Sequence, residues 1–304
     1  MKNDGFKYSG SSFETGIILR RVKEGCEYLS VAVRAEDGEI STATKVIRGL
    51  PDDGAGGVRR FFRRRVNPSP GMGFKQAVLH HLRNNGGKIV GDIPVTHRYS
   101  VAETLFKWLL QLIMIAVFLA LPAFIAWSLP VTQAAAVGVI ESFLAPVLLL
   151  LLLMGSFALY ARNNGFAAYH GAEHKVIKCN HAGKPLTIEN VQAFSRDDVK
   201  CGTCFVVTLL FTAATISAAF FLALPQPDLL LRMAVRTISL FVAYAATFAL
   251  FKATVNNESP AAQRLIHLIS APGLWLQRKI NTAEPTNDQV QVAIQAMQNL
   301  LTLQ

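Results

Sequence analysis

The sequence predicts a mainly α integral membrane protein. It would have four transmembrane helices, a small N-terminal cytoplasmic β-rich domain and amphipathic C-terminal helices. Three observations carry that expectation. Only 16% of the 304 residues are charged, against about 25% in an ordinary soluble domain. Four apolar runs are each long enough to supply the roughly 20 helical residues that cross a bilayer. The basic residues fall on one side of those runs, the pattern that orients a multi-pass protein.

The same composition excludes other classes. With 51% hydrophobic residues the chain is neither disordered nor a disulfide-rich miniprotein. The balance of 30 Lys+Arg against 20 Asp+Glu gives a net charge of +10, which in a soluble protein would point to nucleic acid.

Residues 1–100 form the expected cytoplasmic N-terminal domain. Residues 16–22 (GIILRRV) and 28–47 read as strands. Val31 and Val33 alternate before Asp37-Gly38, and Ile40, Thr42, Thr44 and Val46 alternate after it, which signals a hairpin. Pro51 to Gly73 is a Gly- and Pro-rich loop containing RRFFRRR. Arg59, Arg60, Arg63, Arg64 and Arg65 are expected to meet anionic lipid headgroups at about 1 kcal/mol each, with Phe61 and Phe62 inserting at the interface. Binding of nucleic acid is the less favoured use of that run. No apolar run occurs before residue 100, so no signal peptide is expected.

Residues 101–160 carry the first two spans, Trp108–Leu129 and Ala135–Tyr160, and 205–251 carry the other two, Phe205–Leu224 and Leu229–Phe251. Pro122 and Pro146 should kink theirs, which membrane helices tolerate. Eighteen Lys+Arg precede the first span and six lie in 161–204, whereas the two short connections 130–134 and PQPD have none. The expected location is therefore the bacterial inner (plasma) membrane, multi-pass, with both termini and residues 161–204 cytoplasmic. Arg236 and Glu141 lie near span ends, from which they can snorkel. The spans lack the paired buried charges of an ion path.

After the last span, residues 252–304 form an amphipathic cytoplasmic segment. SPAAQRLIHLISAPGLWLQRKI should lie along the membrane face, interrupted at Pro272-Gly273. From Asp288 onward, Val290, Ile294, Met297 and Leu301 recur at helical spacing and should pack on the body or a partner.

The chemistry concentrates in 161–204. This loop holds His170, His174 and His181, three of the seven His, and Cys179, Cys201 and Cys204, three of the four Cys. At about 100° per residue, His170, Glu173 and His174 project within an arc of about 100° on a helix. Two imidazoles at i, i+4 can share one metal, and the carboxylate between them can serve as ligand or base; the order is H-x-x-E-H. Cys201-Gly-Thr-Cys204 is a C-x-x-C, which in a reducing compartment suggests metal binding or thiol exchange over a structural disulfide. His170, His174, Cys201, Cys204 and Asp198 are thus the candidate ligands of a divalent metal, zinc above others, and Glu173 is the candidate catalytic residue. Cys179, His181 and Asp197 are spare candidates. If Cys204 binds, the site is full and structural; if it does not, a position stays open for water.

YHGAEHKVIKC at 169–179, LTIENV at 186–191, RDDVKCGTCF at 196–205, APGLWLQRKINTAEP at 271–285 and AVRAEDGEI at 32–40 resemble the YqhQ family, bacterial membrane proteins described as predicted metal-dependent enzymes. The resemblance implies a membrane-bound metal site involving His170, Glu173, His174 and Cys201. Three positions depart from the family pattern: Thr15 stands where a Glu is usual, Asp198 where a His is usual, and Cys204 where a Ser is common. Two functions follow. One is a metal-assisted hydrolase acting on a membrane-associated substrate, with Glu173 moving the proton. The other is a non-catalytic membrane adaptor or assembly factor whose metal is structural and whose terminal segments bind membrane-protein partners.

Overall fold

A computed structural model of the chain describes residues 7–13, 15–23, 26–34, 38–47, 88–90, 165–223 and 229–303, with scattered positions between 142 and 155. The first expected span and the basic run Arg59–Arg65 lie outside the described residues. The chain divides into two compact units: Met1–Leu105 with Tyr160–Asp197 and Asn281–Gln304, and Phe106–Leu159 with Asp198–Ile280.

The first unit is built on an antiparallel meander of β1 (Lys7–Phe13), β2 (Gly16–Lys23), β3 (Cys26–Arg34), β4 (Ile40–Ile47) and the short β5 (Lys88–Val90), in that spatial order. The expected hairpin is β3–β4, in register at Val31↔Ala43. Its turn contains Gly38 at φ 89°, a conformation that suits a residue without Cβ. β1 was not expected: KYSGSSF has no apolar alternation. It adds to β2 with Ser11 opposite Ile18.

Ile17 and Leu19 of β2 and Ala32 of β3 join one core with residues of two helices, α1 (Phe166–His181) and α6 (Asn287–Thr302). Ile17 lies opposite Ala32 in the register, so the two side chains share a face of the sheet. Within the connection 161–204, His170, Glu173 and His174 lie on one helix, as their spacing predicts. α1 begins after Gly165 (φ 69°). It closes at Gly183 (φ 66°), where Lys184 N–H reaches back to Cys179 O at 3.2 Å, a left-handed C-terminal stop that favours Gly. α2 (Ile188–Gln192) follows, capped by the Thr187 hydroxyl. α6 starts at a reciprocal capping box of Thr286 and Gln289. Val290, Ile294 and Met297 are buried as the spacing predicts, but Leu300 is the residue that completes the row, and Leu301 is exposed. Arg34 of β3 binds both the Gly38 carbonyl (2.9 Å) and the Asp288 carbonyl (3.1 Å), joining hairpin and helix.

The second unit contains α3 (Gly202–Ala223), α4 (Leu229–Thr254) and α5 (Pro260–Leu276), followed by a π-helical turn Gln277–Asn281. α3 and α4 match the third and fourth expected spans, and both are long and apolar enough to cross a membrane, with mean hydropathies of 2.2 and 1.7. Large apolar side chains face outward along them: Leu222, Leu230 and Phe241 are 65%, 78% and 72% exposed. Many of the buried positions are small, including Ala214, Ser217 and Ala218 on α3 and Ser239, Ala243 and Thr247 on α4, with Phe221 a large exception. Small residues let membrane helices approach closely. Of the second expected span, Phe143, Val147 and Leu150 line an apolar gap with Leu210, Phe211 and Ala214 of α3.

α5 runs through Pro272-Gly273 without the expected interruption. Neighbouring side chains reach the carbonyls of its last turns: Thr208 Oγ1 donates to Ile269 O (3.2 Å), and the Cys204 thiol to Ser270 O (3.8 Å). The carbonyl that Pro272 leaves without its helical donor is that of Leu268. Gly273 allows the contact, since a Cβ there would stand 2.6 Å from Cys204 Cα.

Candidate metal centre

His170 and His174 stand one turn apart on α1, with ring centroids 4.5 Å apart and planes at 64°. Each ring is held from outside the helix. His170 Nδ1 bonds to Asn281 O at 3.0 Å and His174 Nδ1 to Arg196 O at 2.5 Å. A carbonyl only accepts, so Nδ1 carries the proton in both rings. In the neutral imidazole the lone pair is then on Nε2. This is the arrangement in which metal-binding histidines are usually found, one nitrogen donating to a carbonyl and the other ligating.

Local sequence explains how those carbonyls arrive. Gly171 sits mid-helix, and a Cβ there would run into the Ala283 carbonyl oxygen. Without one, residues 281–285 lie against α1, and Ala283 N donates to Ala167 O at 2.8 Å. On the other side, Arg196 Nη1 donates to Thr282 O (3.2 Å) and Nε lies 3.7 Å from the Glu284 carboxylate. Lys175, the residue after His174, is buried and pairs with the same carboxylate and with Gln192 O (2.9 Å).

Within the first unit, His170 and His174 bring two imidazoles together on one helix; Cys201 belongs to the second unit. Imidazole nitrogens suit zinc and similar divalent ions, so the two histidines fit the metal that the sequence suggests.

The other candidates stand elsewhere. The buried Glu173 points its carboxylate at β1: a Cβ on Gly10 would lie 2.6 Å from Oε1. Asp198 Oδ1 accepts from Lys200 N at 2.9 Å, closing a local turn. Cys204 is buried and takes a hydrogen bond from Gln277 Nε2 at 3.0 Å. Gln277 also brackets the Asp198 backbone, accepting from its N–H (3.0 Å) and donating to its carbonyl (2.8 Å). Cys179 is fully buried, directs its thiol at Lys184 O and Pro185 O, and is pushed above its ordinary pKa by burial. His181 packs edge-on against Tyr8 of β1. No disulfide joins Cys179, Cys201 and Cys204.

Sequence reasoning missed Gly171, Arg196 and Asn281. The signal for the first was a Gly inside a helical pattern, which points to close packing. Asn281 and Arg196 reach the rings through main-chain oxygens, which leave no side-chain signature.

A family model described as "Protein of unknown function (DUF1385)" matches residues 84–303. "Uncharacterized protein YqhQ" of Bacillus subtilis (strain 168) is 38% identical over 137 residues, which are 45% of this chain and 40% of that protein. The match thus spans less than half the length of this relative. No solved structure matches the chain.

Proposed function

We propose, from the premise that the chain belongs to the DUF1385 family, that it is a membrane protein with a metal-dependent hydrolytic site. His170, His174 and Cys201 would hold a divalent ion, zinc above others. The observation that carries this reading is the pair of Nδ1–H bonds to Asn281 O and Arg196 O. They leave Nε2 as the nitrogen of each neutral ring that can ligate a cation, on two rings whose centroids are 4.5 Å apart. When bound, such an ion supplies Lewis acidity and the means to activate water at neutral pH.

Three protein donors are the usual complement of a catalytic zinc, and four of a structural one. The fourth thiol that the sequence offers, Cys204, is engaged by Gln277 and by carbonyl oxygens. That supports an open set over a closed one. To carry the proton in this reading, Glu173 would have to swing its carboxylate from Gly10 of β1 toward the ion.

In the same proposal α3 and α4 are the third and fourth of four spans in the bacterial inner membrane. Both termini are cytoplasmic, Arg59, Arg60, Arg63, Arg64 and Arg65 meet anionic headgroups, and the substrate is membrane-associated. The support is the charge asymmetry of the connections and the outward-facing apolar side chains of α3 and α4.

The test is elemental analysis of the purified full chain. Wild type should carry zinc or a similar ion, and His170→Ala, His174→Ala and Cys201→Ser should lose it. Cys204→Ser and Asp198→Ala should keep it. Loss of metal from a folded Cys204→Ser protein would make the site closed and turn the reading to a structural staple in an adaptor.

A further inference from the structure

We infer that Lys175, Arg196 and Glu284 form a clasp whose task is to position the two imidazoles for a cation. The inference rests on the metal reading above and concerns residues that no ligand pattern singles out.

Lys175 is the starting point. Its side chain is 2% exposed, and an ammonium stripped of water is costly unless oxygens replace the water. Gln192 O at 2.9 Å, Gln192 Oε1 at 3.3 Å and the Glu284 carboxylate do so. Glu284 in turn faces Arg196 Nε at 3.7 Å, and Arg196 Nη1 holds Thr282 O at 3.2 Å. One carboxylate thus joins three segments distant in sequence: α1, the stretch after α2, and residues 281–285.

The latter two segments supply the carbonyls that orient the rings. Arg196 holds His174 through its main-chain oxygen and Glu284 through its side chain. Asn281, whose oxygen holds His170, immediately precedes Thr282, which Arg196 grips. Moving Glu284 would shift both carbonyls together, and with them both Nε2 atoms.

Stability alone is a weak reason for such a device. Glu284 is 64% exposed, so water screens its pairing with Arg196 and the net gain is small. An apolar side chain in place of Lys175 would pack about as well. Fixed geometry is what the clasp adds.

The test is cobalt(II) titration of the full-length protein in detergent, read by visible absorption, with thermal melting of the metal-free protein alongside. The variants are Lys175→Met, Glu284→Gln, Arg196→Lys and the double variant Lys175→Met/Glu284→Gln. Each single variant should bind cobalt about 10- to 100-fold more weakly, the usual cost of losing a partner of a metal ligand. The double variant should be no weaker than its worse parent, because the two residues act as one device. Metal-free melting of Arg196→Lys, which keeps charge and backbone, should stay near wild type. Folded variants that bind cobalt as tightly as wild type would overturn the clasp alone, provided His170→Ala abolishes binding. If wild type and His170→Ala give the same response to cobalt, the metal reading falls and the clasp falls with it. If Lys175→Met does not fold, Arg196→Lys decides.

Discussion

Gly10 lies directly against the Glu173 side chain: a methyl group at residue 10 would stand 2.6 Å from Oε1, 2.7 Å from Cδ and 2.8 Å from Cγ. β1 therefore has a notch where the helix presents a buried acid. Gly10→Ala must displace that carboxylate, at about 1–3 kcal/mol for overpacking. In a Glu173→Ala background the same change should cost much less, since its obstacle is gone. Chemical denaturation of the two single variants and the double variant measures the coupling. Additive costs would show that the carboxylate does not occupy the notch.

Gly171→Ala should be worse than Gly10→Ala. Its obstacle is the Ala283 carbonyl oxygen, part of the main chain and not the end of a flexible side chain. Residues 281–285 must move outward, and His170 loses the Asn281 oxygen. The expected result is faster hydrogen exchange at Ala283, whose N–H now bonds Ala167 O at 2.8 Å, together with weaker metal retention. Unchanged exchange there would contradict the contact.

Gln277 is fully buried and satisfies the Asp198 backbone with both ends of its amide. Gln277→Leu strands the Asp198 N–H, at about 1–3 kcal/mol if no water reaches it, while the Asp198 carbonyl keeps the Cys201 N–H at 3.2 Å. The melting temperature of the full chain should fall clearly. Gln277→Glu should fall less near pH 5 than at pH 8, because only a protonated carboxyl can both donate and accept there.

Cys179 should resist thiol reagents in the native protein and react on unfolding, whereas the half-buried Cys201 reacts first and is shielded by bound metal. Mass spectrometry of maleimide-treated protein reads both. Burial raises the Cys179 pKa, so the folded state holds that proton more tightly than the unfolded one. Its contribution to stability is complete below the ordinary thiol pKa and is lost as pH rises through the higher native value. Alkaline titration of stability in Cys179→Ala should show a shallower decline.

The hairpin β3–β4 was legible because its alternation and Asp37-Gly38 turn are local. The two imidazoles were legible because a four-residue spacing has one geometric meaning on a helix. β1 was hidden because its residues are chosen for smallness and polarity: Gly10 is there to leave a space. The uninterrupted α5 was hidden because its packing partner at Gly273, Cys204, lies on another helix. The expected ligand role of Cys204 came from spacing alone. C-x-x-C does not say which way the second thiol turns, and here Gln277 occupies it.

The first unit is assembled from stretches near both ends of the described sequence, with α6 lying on strands β2 and β3 and residues 281–285 completing the surroundings of His170. During synthesis the early strands and both histidines emerge long before Asn281. The nascent chain must therefore make α3 and α4 before residues 281–285 can reach α1. A product cut short between Cys204 and Asn281 would keep His170, His174 and Cys201 and still lack the Asn281 carbonyl that aims His170.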